Sequence, residues 1–141
     1  MDSQESSQIA APLAHRLGDN ANAMQIAEAI VVVWGEIDNV LAPIIGHRAV
    51  VALCKRSLYL TAMRHNCLSD IYKSMQAGTE FIELQPVIAQ QTDITVAIGD
   101  ELLQSFRGLL TTLIGESLVE RLLRPVWENS LAGPPAQDSS P

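Results

Sequence analysis

A chain of 141 residues is long enough for one hydrophobic core and too short for two comfortable ones. Its 9 basic residues stand against 16 acidic ones, a formal charge of −7, which argues against a nucleic-acid partner because phosphate binding draws most of its affinity from Lys and Arg. Apolar residues make up 48% of the chain and aromatics only 4%, so the core must be aliphatic. Leu, Ala and Ile dominate, rather than the β-branched and aromatic mixture of strands, and the fold class expected is all-α.

Residues 1–19 are rich in Ser, Gln and Ala and read as a weakly ordered lead-in, with a short helix around Ala10–Leu17. The first long helix starts near Asn20 or Asn22, either of which can cap it. From there Ile26, Ile30, Val33, Ile37, Val40 and Ile44 step by three and four residues, the period of one helix face. Ala27, Val31, Trp34, Leu41 and Ile45 form a second stripe beside the first, too wide for a monomeric four-helix core to cover. Pro43 bends the last turn and Gly46 ends the helix.

A second helix follows at once, about His47–His65, with Val50, Leu53, Cys54, Ser57, Leu58 and Thr61 inward. Leu68–Ala77 reads as a connecting helix closed by Gly78. Thr79 is a possible cap for a short helix around Phe81–Ile88 that Pro86 initiates or interrupts. Thr92 or Asp93 caps the next long helix, which runs to Ile114 with Ile98, Leu102, Phe106, Leu109 and Leu113 inward. Gly115 ends it, and the last helix, Glu116–Arg124, must kink or stop at Pro125. Trp127 and Leu131 are expected to fold back on the bundle, and residues 133–141 are expected to be disordered.

A shift of 69 residues lays LAPIIGHRAVVALCK over LTTLIGESLVERLLR without a gap, which puts Gly46 over Gly115 at the same phase of both patterns. The expected architecture is therefore a four-helix bundle-like core in residues 20–132. It comprises two pseudo-repeated helix–glycine corner–helix units, about 20–66 and 79–131, with short connecting helices.

Chemistry is harder to find. There is no dinucleotide or phosphate-binding loop, no nucleophile elbow and no HExxH. The neighbouring carboxylates Glu36/Asp38 and Asp100/Glu101 point in different directions on a helix and read as solvated surface. His65 and Cys67 are the candidate metal ligands, but too few others remain for a four-coordinate structural site, and no metal or cofactor is expected. His47 and His65 fall near helix ends, outside the mid-helix setting of a phosphotransfer histidine. Lys55, Arg56 and Arg64 read as a solvated face with a local basic patch as the sharper alternative, and Met63, Tyr72 and Met75 as core or groove.

The function expected is thus a non-enzymatic regulatory or signalling module acting through protein–protein contact, with itself as a homodimer or with another protein. Trp34, Val31 and Trp127 are its interface candidates. The alternative is a small-molecule or cofactor sensor with an apolar pocket between the two units, lined by His47, Cys54, Met63 and Phe106. The two cysteines make no disulfide framework, no leader pattern is visible and no apolar run approaches a membrane span, so a cytoplasmic location is expected, without nucleic acid or membrane as partner.

Overall fold

The computed structural model describes residues 12–18, 20–78 and 80–132, with the side chains of residues 12, 15, 16, 82 and 127–132 outside the description. The helices are α1 (Pro12–Leu17), α2 (Ala23–Ile45), α3 (His47–Ala62), α4 (Ser69–Gln76), α5 (Leu84–Ala89), α6 (Val96–Ile114) and α7 (Glu116–Ala132). Short 3-10 turns, Asn66–Leu68 and Phe81–Glu83, lead into α4 and α5. No strand occurs among the described residues, and none of their helices is long and apolar enough to cross a membrane.

Asn22 starts α2 through a reciprocal cap. Its side-chain oxygen accepts from the Gln25 amide at 2.9 Å, and the Gln25 side chain accepts from the Asn22 amide at 3.0 Å. The helix then runs through Pro43, exposed in its last turn, and water can satisfy the carbonyl of exposed Asn39 that the proline leaves without a donor. Helices α1, α3, α5, α6 and α7 all pack against α2. Ile26, Ala27, Ile30, Val31, Val33, Trp34, Ile37 and Leu41 are buried as a result. The two stripes are thus largely covered by the chain's own helices, while Ile44 at the end of the first, together with Val32 and Met24, stays exposed. Each of the larger buried side chains contributes roughly 1.5–3 kcal/mol by leaving water.

The inner side of α3 follows the expected order, with Val50, Cys54, Ser57, Leu58 and Thr61 buried and Leu53 half-buried, and the helix ends at Ala62, one turn short of His65. The buried hydroxyls are satisfied locally: Ser57 donates to the Cys54 carbonyl at 2.9 Å, and Thr61 to the Ser57 carbonyl.

Three expectations for the second half fail. Thr95, not Thr92 or Asp93, caps α6, its hydroxyl accepting from the Ile98 amide at 3.2 Å. The inward face of α6 is Val96, Gly99, Asp100, Leu102, Leu103, Phe106 and Leu110. Ile98 and Leu109 are only half-buried and Leu113 is exposed, so the buried stripe is turned by about one residue. The cause is α1. A Cβ on Gly99 would lie 2.5 Å from a terminal carbon of Leu13, so only glycine lets α1 seat there without a shift. Asp100 accepts from the Leu13 and Ala14 amides at 2.8 and 3.1 Å, capping the first turn of α1 from across the fold. The end of the expected lead-in is therefore a packed helix with Leu13 fully buried. Finally, α7 does not end at Arg124 but continues through Pro125 to Ala132, so of the expected kink or stop only the stop is excluded. Pro125 and Arg121 are both exposed, and water can satisfy the Arg121 carbonyl that the proline frees.

Helices α2 and α3 are separated by Gly46 alone, at φ 93° and ψ 146°, and α6 and α7 by Gly115 alone, at φ 95° and ψ 151°. Both backbones occupy a region essentially reserved for glycine. The expected cap at Thr79 and the tail 133–141 lie outside the described residues.

Candidate functional site

The residues singled out from sequence occupy separate environments. Cys54 and Phe106 are fully buried in the core, Met63 is 70% exposed, and His47 lies on the surface. These four do not form one pocket lining. Trp34 and Val31, expected at an interface, are buried within the chain, Trp34 packing on Phe81 with ring centroids 5.7 Å apart. The Trp34 indole nitrogen is enclosed without a hydrogen-bond partner among the described residues. The side chain of Trp127 lies outside the described residues.

Each histidine of the second helix region pairs with a carboxylate. His47 Nδ1 lies 2.9 Å from Asp38 Oδ1, tying the end of α2 to the start of α3 across Gly46. His65 Nε2 lies 2.8 Å from Glu101 Oε1, and the Arg64 guanidinium donates to the other oxygen, with Nε at 2.6 Å. The His65 hydrogen bond, helped by Arg64, holds the Glu101 carboxyl below its ordinary value of 4.5. This triad fastens the end of α3 to the start of α6. The Asp100/Glu101 pair is thus not solvated surface: Asp100 is buried and Glu101 is half-buried and paired. Cys67 is a free, half-buried thiol, and no group of three potential metal ligands occurs among the described residues. Burial, and secondarily the Asp38 charge, pushes the Cys54 thiol well above its ordinary 9.0, so it stays protonated and unreactive.

What does converge lies on the outer side of α3. Arg48, Ala52, Lys55, Arg56 and Tyr59 recur at helical spacing on the face opposite Val50, Cys54 and Leu58. Helix α4 packs alongside, and Ala52, Lys55, Arg56, Tyr59 and Tyr72 line an open trough of about 360 Å³ between the two. The Tyr59 and Tyr72 rings contact at 5.6 Å, and the Arg56 guanidinium sits over the Tyr59 ring at 5.3 Å. Gln76 donates to the Tyr72 hydroxyl at 2.9 Å, fixing that ring from one turn on. A smaller cavity of about 70 Å³, lined by His47, Val51, Met75 and Phe81 among others, adjoins the trough through Lys55.

The electrostatics of this face oppose those of the whole molecule. No Asp or Glu occurs between Asp38 and Asp70, a stretch that carries Arg48, Lys55, Arg56 and Arg64. Among the described residues neither Arg48, Lys55 and Arg56 nor the exposed Lys73 of α4 has a carboxylate partner. Sequence reading found Lys55, Arg56 and Tyr72 but did not join them, because the trough exists only once α4 folds back beside α3. Tyr59 could have been found from its spacing after Ala52 and Lys55. No protein-family model, curated protein or solved structure matches the chain.

Proposed function

We propose that this chain is a non-enzymatic interaction module that acts through protein–protein contact, and that the α3–α4 trough is its contact surface. The observation that carries the reading is the concentration of unpaired cations beside two tyrosines on one open face of a chain with net charge −7. Arg and Tyr are the residue types that anchor interfaces, and burying them against a partner releases water from rings that are already ordered. Self-association was inferred from uncovered apolar surface on α2. With Val31 and Trp34 buried and only Met24, Val32 and Ile44 of α2 left exposed, the trough is the surface that supports contact with a different protein.

We infer further that the core consists of two copies of one helix–corner–helix unit, related by the 69-residue shift. The nearly equal backbone angles at Gly46 and Gly115 support this. So does burial: from residues 33–55 to residues 102–124, the exposure class agrees everywhere except Gly46/Gly115, Ala49/Leu118 and Lys55/Arg124. The packing is also consistent with a pseudo-two-fold, since α2 meets α3 and α7 while α6 meets α7 and α3. The charge is repeated only in part, with a cation kept at Lys55/Arg124 and one added at Ala52/Arg121. Arg48, Lys55 and Arg56 correspond to Ser117, Arg124 and Pro125, and Arg124 is paired with Glu120 at 3.5 Å. A shared scaffold with one face of mixed charge, Glu116, Glu120, Arg121 and Arg124, and one basic face supports a role specific to α3.

A photo-crosslinking amino acid at Ala52, compared with the same group at its counterpart Arg121, tests the reading in the native cell. A discrete protein adduct formed from position 52 and absent from position 121 is expected. Adducts of equal yield from both positions, or none from position 52, would overturn it.

A further inference from the structure

Resting on the interaction-module reading, we propose that the trough takes an acidic peptide segment of the partner, its carboxylates on Lys55 and Arg56 and its apolar stems against the Tyr59–Tyr72 ring pair. Three observations lead to this occupant. The first is charge complementarity. Lys55 and Arg56 line the trough without carboxylate partners among the described residues, Arg48 stands one turn before Ala52 on the same face of α3, and Lys73 follows Tyr72 on α4. The Arg56 stack on Tyr59 holds one guanidinium in place before binding, which reduces the ordering cost of a bidentate contact to a carboxylate.

Shape is the second. Small-molecule sites enclose most of their ligand, whereas this trough is open along one side and would leave a compact ligand largely wet. A peptide laid along the two helices buries its own side chains in the trough and keeps its backbone accessible. The third observation concerns the surroundings. Glu80 lines the smaller cavity that shares Lys55 with the trough, and Asp70 on α4 and Glu83 beyond it are exposed carboxylates of the neighbouring segments. A long polyanion such as a nucleic acid, or the extended surface of an acidic membrane, would meet these carboxylates as well as the cations. A short acidic segment seated on Lys55 and Arg56 meets fewer of the carboxylates. Within the proposed duplication, the corresponding positions on α7 bring Glu116, Glu120 and Glu128 in place of His47, Val51 and Tyr59, so the basic trough belongs to one unit alone.

The test is fluorescence anisotropy on the full chain with a labelled peptide of about twelve residues built from Glu and Leu, against its Gln/Leu counterpart. The Glu peptide is expected to bind roughly tenfold or more tightly than the Gln peptide, an affinity weakened by added salt. The double variant Lys55→Glu/Arg56→Glu should lose that preference at an unchanged melting temperature, because neither side chain packs in the core. The milder Lys55→Gln/Arg56→Gln should show the same loss in part. Equal binding of both peptides, a preference untouched by either variant, or tighter binding to a single-stranded oligonucleotide or to phosphatidylserine vesicles would overturn the acidic-peptide assignment. If that assignment falls while crosslinking from Ala52 persists, the partner has other chemistry. Loss of both removes the interaction-module reading as well.

Discussion

Replacing Asp100 with Ala removes the two hydrogen bonds that its carboxylate accepts from the Leu13 and Ala14 amides at 2.8 and 3.1 Å. Bonds to a charged acceptor are worth about 1.5–3 kcal/mol each before compensation, whereas loss of a helix cap measured as a whole costs roughly 0.5–2 kcal/mol. Because Asp100 is buried, water replaces it poorly, and a loss of about 3 kcal/mol follows. Undocking of α1 sets a comparable ceiling, since it exposes Leu13, worth about 1.5–3 kcal/mol, together with its two freed amides. For a chain of this length the melting temperature should fall by about 6–12 °C. Asp100→Asn, which keeps the shape and one acceptor, should lose about half as much. Thermal denaturation followed by circular dichroism reads the global effect, and amide hydrogen exchange at Leu13 and Ala14 reads the local one. An Asp100→Ala variant melting within about 2 °C of the parent, with both amides still protected, would refute the idea that a buried carboxylate holds α1 in place.

Gly99→Ala should cost no more than about 1–2 kcal/mol net in urea unfolding, because the new methyl overlaps the end of the buried Leu13 side chain, which must move, while the helix gains about 1 kcal/mol from alanine. Gly46→Ala and Gly115→Ala should each cost about 1–3 kcal/mol, and by similar amounts, since each forces a side chain into nearly the same backbone conformation. A large inequality would count against equivalent corners. The Cys54 thiol is raised in the fold above its unfolded value, so the folded chain binds more protons at alkaline pH and stability falls as pH rises past about 9.0. In urea midpoints across that range, Cys54→Ala should flatten the decline. The Glu101 carboxyl is lowered in the fold, so its contribution is present above about 4.5 and is lost as pH falls through the folded value. Glu101→Gln should reduce the acid limb of the stability profile while leaving the alkaline limb unchanged.

The parts of the fold that were legible in the sequence are those set by local pattern. Asn22 capping α2, the inward residues of α3 and the breaks at Gly46 and Gly115 all follow from helical period and backbone chemistry. What was not legible depends on a partner element far along the chain. Asp100 looks solvated until α1 arrives, and Gly99 looks like a weak spot in a helix until Leu13 needs the space. Trp34 looked like surplus apolar surface because the sequence does not show that α5 and α7 both close over α2. Pro125 does not end α7, and the choice between a kink and a stop depends on how wet that helix face is, which local pattern does not show. Of the trough, the cations and Tyr72 were visible in the sequence, but their juxtaposition was not. Spacing along α3 places Lys55 and Arg56 on its outside, whereas only the turn at Asn66–Leu68 brings Tyr72 against Tyr59.

The central claim, that this chain meets its partner through α3 and α4, is tested most directly by amide hydrogen exchange on the full chain with and without the protein recovered by crosslinking from Ala52. Slowed exchange confined to residues 48–59 and 69–76 is the predicted footprint. Protection centred on α7, or spread evenly over the bundle, would contradict it.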